Sequence, residues 1–158
     1  MSLTGHPHQE PVRTAIPMID VSTGLTGGVG VLAALYHRKR TGQGQFLEVP
    51  LFDTGFYQTA IHAVGYMLDG TVPDRLGNAD FFAAPVGRYG CADGEIAIAV
   101  ETDEQFAGLC QALGLATLES WATNSGRVSD RESLDQALAE LIGALDLTEL
   151  LVSLQAAG

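Results

Sequence analysis

The sequence predicts an α/β first half followed by a small α+β unit, and three observations predict it. An apolar run at 16–21 leads into a glycine-studded helical pattern, and a second β-forming run, "QFLEVPLF" at 45–52, leads into another helix. After residue 85 two β-like runs meet at Asp93-Gly94 and are followed by a series of capped helices. Apolar residues fill 46% of the 158 positions, enough for one ordinary core or two small ones and too many for a disordered chain.

At the start, Met1-Ser2-Leu3 looks like a cloning remnant. Residues 1–14 as a whole, with "TGHPHQEPVRT" at 4–14, carry prolines and histidines without periodicity, so an extended arm is expected. His6 and His8 have a spacing that metal ligands use, but no Cys or further His stands nearby, and a solvated arm accounts for both. No metal site is expected.

Residues 15–70 read as one piece of a larger α/β domain. The strand "IPMIDV" ends near Val21, and a helix opens at Ser22 or Thr23. Leu25, Val29, Leu32 and Tyr36, widened by Val31 and Leu35, keep helical spacing up to Arg40, with Gly42 as the cap. The basic trio Arg38, Lys39 and Arg40 then complements the negative end of the helix dipole, with an anion contact as the alternative. "QFLEVPLF" has the nearly continuous β-forming character of a buried parallel strand, and Pro50 marks an interruption or an edge. A helix follows from an Asp53 or Thr54 N-cap to Leu68, closed by Asp69-Gly70. Its apolar residues, from Phe56 to Leu68, cover most of its circumference, so sheet, neighbours or another subunit should bury it, and His62 reads as a core or interface histidine.

Residues 71–85 read as a linker, and 86–158 as the α+β unit. "VGRYGCADGEIAIAV" is a hairpin whose Asp93-Gly94 suits a type I′ turn. Thr102 with Gln105 forms a capping box, followed by the stripe Phe106, Leu109, Cys110 and Leu113 and by Gly114. Ser129 with Glu132 suggests a second capping box before Leu134, Ala137, Leu138, Leu141 and Ile142, and Thr148 caps a third helix.

Composition excludes several classes. A net charge of −11 and a pI near 4.5 argue against nucleic acid, which is gripped by clustered Lys and Arg. No apolar run of about 18 residues is free of glycine breaks and polar interruptions, and no basic segment precedes an apolar one at the N-terminus, so no membrane contact is expected. Cys91 and Cys110 fall among core positions and read as buried thiols of a reducing, cytoplasmic compartment. The chain stops at Ala156-Ala157-Gly158 directly after a helical pattern, which suggests a fragment.

Asp20 is the residue whose placement carries chemistry. At the junction of strand and helix, unpaired N–H groups and the dipole favour a carboxylate, which there is a ready nucleophile or base. Helix capping accounts for it equally, and spacing does not separate the two. A competing motif overlaps it: Gly28-Val29-Gly30-Val31-Leu32-Ala33 fits G-x-G-x-x-A, with Glu48 about 20 residues downstream. In a dinucleotide fingerprint the first glycine ends the strand, whereas Ser22 to Gly27 separate Val21 from Gly28 here. Gly27, Gly28 and Gly30 therefore read as a close-packing face of a helix, each at a cost of about 1 kcal/mol relative to alanine.

Taken together, "PVRTAIPMIDVSTG", "GVLAALYHRKRTGQGQFLEVPLFDT", "PVGRYGCADGEIAIAVETDEQFAGLCQALG" and "TNSGRVSDRESL" resemble the family III CoA-transferases, the group of formyl-CoA transferase, carnitine CoA-transferase and the α-methylacyl-CoA racemases. The resemblance runs from about Gly5 to the C-terminus. It implies an enzyme that moves CoA between carboxylic acids, with acyl-CoA and a carboxylate as substrates, no tightly bound cofactor, and Asp20 as the covalent nucleophile. It also implies that these residues belong to a Rossmann-like large domain and a small domain of an interlocked homodimer, and that a 158-residue piece is inactive alone. In the racemase branch the Asp20 position is an acid/base and a further acid aligns with Asp103, which a capping box explains as well. "NSGRVSDRESL" and "DEQFAGLCQALG" resemble the transferase branch more closely. The glycine-rich loop that some members place over the active site is not evident between Gly77 and Gly87.

Overall fold

A computed structural model describes residues 2–157; Met1, the first residue of the expected remnant, and Gly158 lie outside the described residues. The chain divides into two compact units after Arg75, within residues 71–85.

The first unit is helical: α1 Met18–Thr41, α2 Leu51–Gln58 and α3 Ala60–Asp69. The expected strand at 16–21 does not form. Pro17, with φ −77° and a non-helical ψ of 69°, stands at the N-cap, where its missing N–H costs the helix nothing, and the helix begins at Met18. Ser22 and Thr23 are thus inside α1 and do not cap it. The Thr23 and Thr26 hydroxyls instead donate to the carbonyls one turn back, Ile19 O at 2.7 Å and Ser22 O at 2.9 Å. Gly42 closes α1 as expected, at φ +76°, its N–H donating to Arg38 O. Arg40 leans back on Tyr36, bonding its hydroxyl at 3.1 Å.

The run at 45–52 is likewise not a strand. No strand in this unit pairs with it among the described residues, and α2 takes over at Leu51 after Pro50. The single helix expected to reach Leu68 is two, because the chain leaves helical geometry at Thr59, where the Thr59 N–H and hydroxyl both turn back to Phe56 O. Asp53 and Thr54 lie inside the first turn of α2, not at its cap. Gly70, at φ +78°, ends α3, and the Thr71 N–H bonds the Asp69 carboxylate at 2.8 Å, holding that carboxyl below its ordinary range.

Packing in this unit is sparse. A Cβ on Gly30 would lie 2.7 Å from the Leu47 side chain, and one on Gly55 3.2 Å from Ile19, so close approach is real there. Gly27 and Gly28 have no neighbour of that kind within 4 Å, which corrects the expectation of a three-glycine face. No residue of α1 is buried. By length and composition α1 is apolar enough to cross a membrane, contrary to the sequence expectation, although the core helix of a soluble protein passes the same test. The N-terminal segment is not extended: Thr4 and Val12 bond each other through backbone and hydroxyl, and Arg75 donates to Gln9 O at 2.7 Å.

The second unit holds the core. Strands β1 Val86–Gly90 and β2 Glu95–Ala99 pair antiparallel from Val86↔Ala99 to Gly90↔Glu95. The connection is four residues long, closed by Cys91 N–H to Gly94 O at 2.8 Å, and neither Asp93 nor Gly94 has a positive φ, so the turn is not type I′. Asp93 has another task, since its carboxylate accepts the Leu147 N–H at 2.7 Å and thereby caps α7 Leu147–Ala157, which starts before Thr148.

Helix α4 Asp103–Leu113 carries the predicted capping box, Thr102 with Gln105, and Gly114 at φ +63°. After a 3₁₀ turn at Glu119–Trp121 come α5 Asn124–Ser129 and α6 Arg131–Gly143. The Ser129–Glu132 box does not form. Ser129 ends α5 with its hydroxyl on Ser125 O, and the chain breaks at Asp130, whose carboxylate accepts the Trp121 indole N–H at 2.8 Å. Leu134, Leu138, Ile142 and Leu150 are essentially fully buried against Tyr89, Ile96, Ile98, Phe106, Leu109 and Trp121. Each such leucine or isoleucine contributes about 2 kcal/mol by leaving water.

Candidate active site

Asp20 is the third residue of α1 and is exposed to solvent. Its carboxylate forms no side-chain hydrogen bond or ion pair among the described residues, and α1 has no side-chain cap. The N–H groups of Ile19 and Asp20 find no backbone acceptor there either, whereas Val21 N–H reaches Pro17 O at 3.1 Å. The carboxylate is therefore not consumed by capping, and it sits beside two free donors at the positive end of a 24-residue helix. Helix α2 braces this end: Ile19 lies against Gly55, and the Gln58 amide reaches Met18 O at 3.5 Å.

A cleft of about 530 Å³ in this unit lies farther along, between α1, residues 47–50 and α2. Thr26, Gly30, Glu48, Asp53 and Tyr57 are among its walls, and Asp20 is not. Gly28 and Gly30 stand in the middle of α1, so neither ends a strand, and the dinucleotide fingerprint with Glu48 is excluded by its context.

Asp103 has a partner. It lies in the first turn of α4 and accepts from Arg127 Nη2 at 2.8 Å. Arg127 is completely buried, stacks 4.4 Å from the centre of the Phe106 ring, and donates to Ala84 O at 2.7 Å and Trp121 O at 3.0 Å. The geometry makes Asp103 the counter-ion of a buried guanidinium. Asn124 and Arg131 add to the same scaffold, bonding the backbone of residues 80–84: Asn124 pairs with Phe82 O and Ala84 N–H, and Arg131 with Asp80 O and Ala83 O. Sequence reasoning passed over Asn124, Arg127 and Arg131. Two arginines four apart in a strongly acidic chain were the available signal.

Tyr89 donates to Asp135 at 2.6 Å, and burial together with that bond pushes its phenol far above the usual range. Cys110 is buried and Cys91 half-buried, and desolvation raises both thiols. His6 and His8 are exposed, His62 is half-buried, and no group of three or more His, Cys, Asp or Glu that could hold a metal occurs among the described residues.

Residues 1–158 match the family described as CoA-transferase family III. The chain belongs to CoA-transferase family III. Among curated relatives, it is 34% identical over 142 residues to succinate–glutarate CoA-transferase of Agrobacterium fabrum, covering 88% of this chain and 36% of that protein. It is 32% identical over 152 residues to succinyl-CoA:mesaconate CoA-transferase of Haloarcula marismortui, covering 96% and 38%. In three dimensions it superposes on a CaiB/BaiF family protein of Brucella suis with a TM-score of 0.77 and 37% identity, over 100% of this chain and 43% of that one. The chain thus spans little more than a third of the curated family III relatives it matches. Helices dominate it, with one two-stranded antiparallel sheet among the described residues.

Proposed function

We propose that the family III protein to which these residues belong transfers CoA between carboxylic acids, with Asp20 as its covalent nucleophile. The observation that carries this reading is a carboxylate left unpaired at a helix N-terminus in a chain that matches family III throughout. The Asp20 carboxylate attacks the acyl thioester carbonyl, forming a C–O bond as the C–S bond breaks, to give a mixed anhydride and CoA thiolate. The thiolate attacks the aspartyl carbonyl of the anhydride, giving an aspartyl-CoA thioester and the first free acid. The incoming carboxylate attacks that thioester, again forming an anhydride and CoA thiolate. The thiolate then attacks the new acyl carbonyl and restores Asp20. The free N–H groups of Ile19 and Asp20 are the donors in this chain suited to the oxyanions that develop near the carboxylate.

The relatives' names suggest succinyl-CoA as donor and a second dicarboxylic acid as acceptor. The engagement of Asp103 by Arg127 supports transfer over racemisation, because the resemblance to the racemase branch implies a proton-transferring acid at that position and here the carboxylate serves as a counter-ion. A Rossmann-like large domain and an interlocked dimer complete the proposal, and the apolar surface of the first unit, with Phe46 88% and Leu68 81% exposed, supports a further covering layer.

The test uses the full-length protein, with Asp20 and as Asp20→Ala, incubated with succinyl-CoA, quenched and mapped by mass spectrometry. A CoA adduct on the Asp20 peptide, absent from the variant together with roughly a thousandfold or greater loss of transfer, is expected. Transfer that survives in the variant overturns the assignment, and α-proton exchange into deuterated solvent without an adduct moves it to the racemase branch.

A further inference from the structure

Two residues of α2 grip the end of α1 that carries Asp20. Gly55 and Gln58, one helical turn apart, share a face of α2. The Ile19 side chain lies along Gly55, where a Cβ would meet its Cδ1 at 3.2 Å and its Cγ2 at 3.6 Å, so any larger residue would push it away. The Gln58 amide nitrogen donates to Met18 O at 3.5 Å. Met18 C=O and Ile19 N–H are the two ends of one planar peptide, so a contact that holds the carbonyl also aims the N–H. That N–H is one of the two without a backbone acceptor beside the Asp20 carboxylate.

We propose that Gln58 is a positioning residue for acyl transfer, acting on the reacting centre through the Met18–Ile19 peptide. The inference rests on Asp20 as nucleophile and adds what prepares its neighbouring donor. An oxyanion that draws on the Ile19 N–H polarises this peptide and makes Met18 O a better acceptor. The long contact to Gln58 therefore strengthens as charge develops and is weak in the ground state. Its effect falls on kcat and not on KM. Gly55 constrains the same peptide from its other side, by seating Ile19. Stability is a poor account of Gln58, because its side chain is exposed and an exposed bond of this kind adds little to folding.

The test compares the full-length protein carrying Gln58 with Gln58→Met, which keeps the length and removes the donors, and with Gln58→Lys, which restores a donor. Expected for Gln58→Met is about a tenfold fall in kcat and in the rate of CoA adduct formation on Asp20, with KM for succinyl-CoA and the thermal midpoint unchanged. Most of the rate should return in Gln58→Lys. The amide nitrogen resonance of Ile19, read by NMR without turnover, should move in Gln58→Met and move back in Gln58→Lys. An unmoved resonance, an unchanged kcat, a loss confined to KM, or an equal loss in Gln58→Lys overturns the proposal and leaves an adduct on Asp20 standing. Absence of that adduct from the unsubstituted protein overturns the nucleophile assignment and this proposal with it, so the two failures are told apart.

Discussion

Arg127 shows how one side chain organises the second unit. Its guanidinium is wholly buried, and three polar partners plus a phenyl face compensate for its desolvation. Arg127→Met leaves Ala84 O and Trp121 O buried without donors and should cost about 2–4 kcal/mol. Asp103→Asn keeps those two bonds and the ring, and with a half-exposed partner should cost only about 1 kcal/mol. Trp121, the single tryptophan, packs beside them, so urea unfolding followed by its fluorescence reads both values. Equal losses would show that the ion pair, not the carbonyl contacts, dominates. Tyr89 sets a pH limit. Its folded pKa lies above the unfolded value of about 10, so its contribution is present below that pH and is lost as pH rises further. The urea midpoint should therefore fall above about pH 10, and fall less steeply in Tyr89→Phe, a difference read by comparing the two curves.

At the scale of elements, glycine contacts separate packing from tolerance. A Cβ on Gly126 would collide with Ser120 O, which is backbone and cannot swing away, so Gly126→Ala should cost more than about 2 kcal/mol and lower the thermal midpoint of the second unit. Gly28 faces open space inside α1, and in the 158-residue chain Gly28→Ala should raise helicity and stabilise α1 by up to about 1 kcal/mol, measured by circular dichroism. Stabilisation in both, or in neither, would refute this reading of the contacts. The capping box of α4, the left-handed glycines after α1, α3 and α4, and the β1–β2 hairpin were all legible, because each depends on residues a few positions apart. The type I′ turn and the Thr148 cap were misread for one shared reason: Asp93 and Leu147 meet across 54 positions, and a local pattern cannot register that bond.

For the whole molecule, the contrast between units governs behaviour in solution. The second has a continuous core, while the first leaves Phe46, Phe52, Tyr57 and Leu68 about four-fifths exposed. The 158-residue chain should therefore self-associate at roughly 10 μM and bind an apolar dye, and it should show no CoA transfer by itself. Sedimentation and a transfer assay check both statements, and a monomeric, dye-free or active chain would contradict them.

Sequence by itself determined the family, the acidic surface, the helical and hairpin segments of residues 86–158 and the placement of Asp20 near a helix start, because periodicity, capping and short turns are local properties of the chain. Only the tertiary structure decided that α1 begins at Met18, that Asp20 is left unpaired, that Asp103 answers a buried Arg127, and that residues 45–49 lack a ladder. A strand exists only when another strand pairs with it, and a buried charge is tolerated only when distant residues compensate it. Both conditions are set by contacts between residues far apart in the chain.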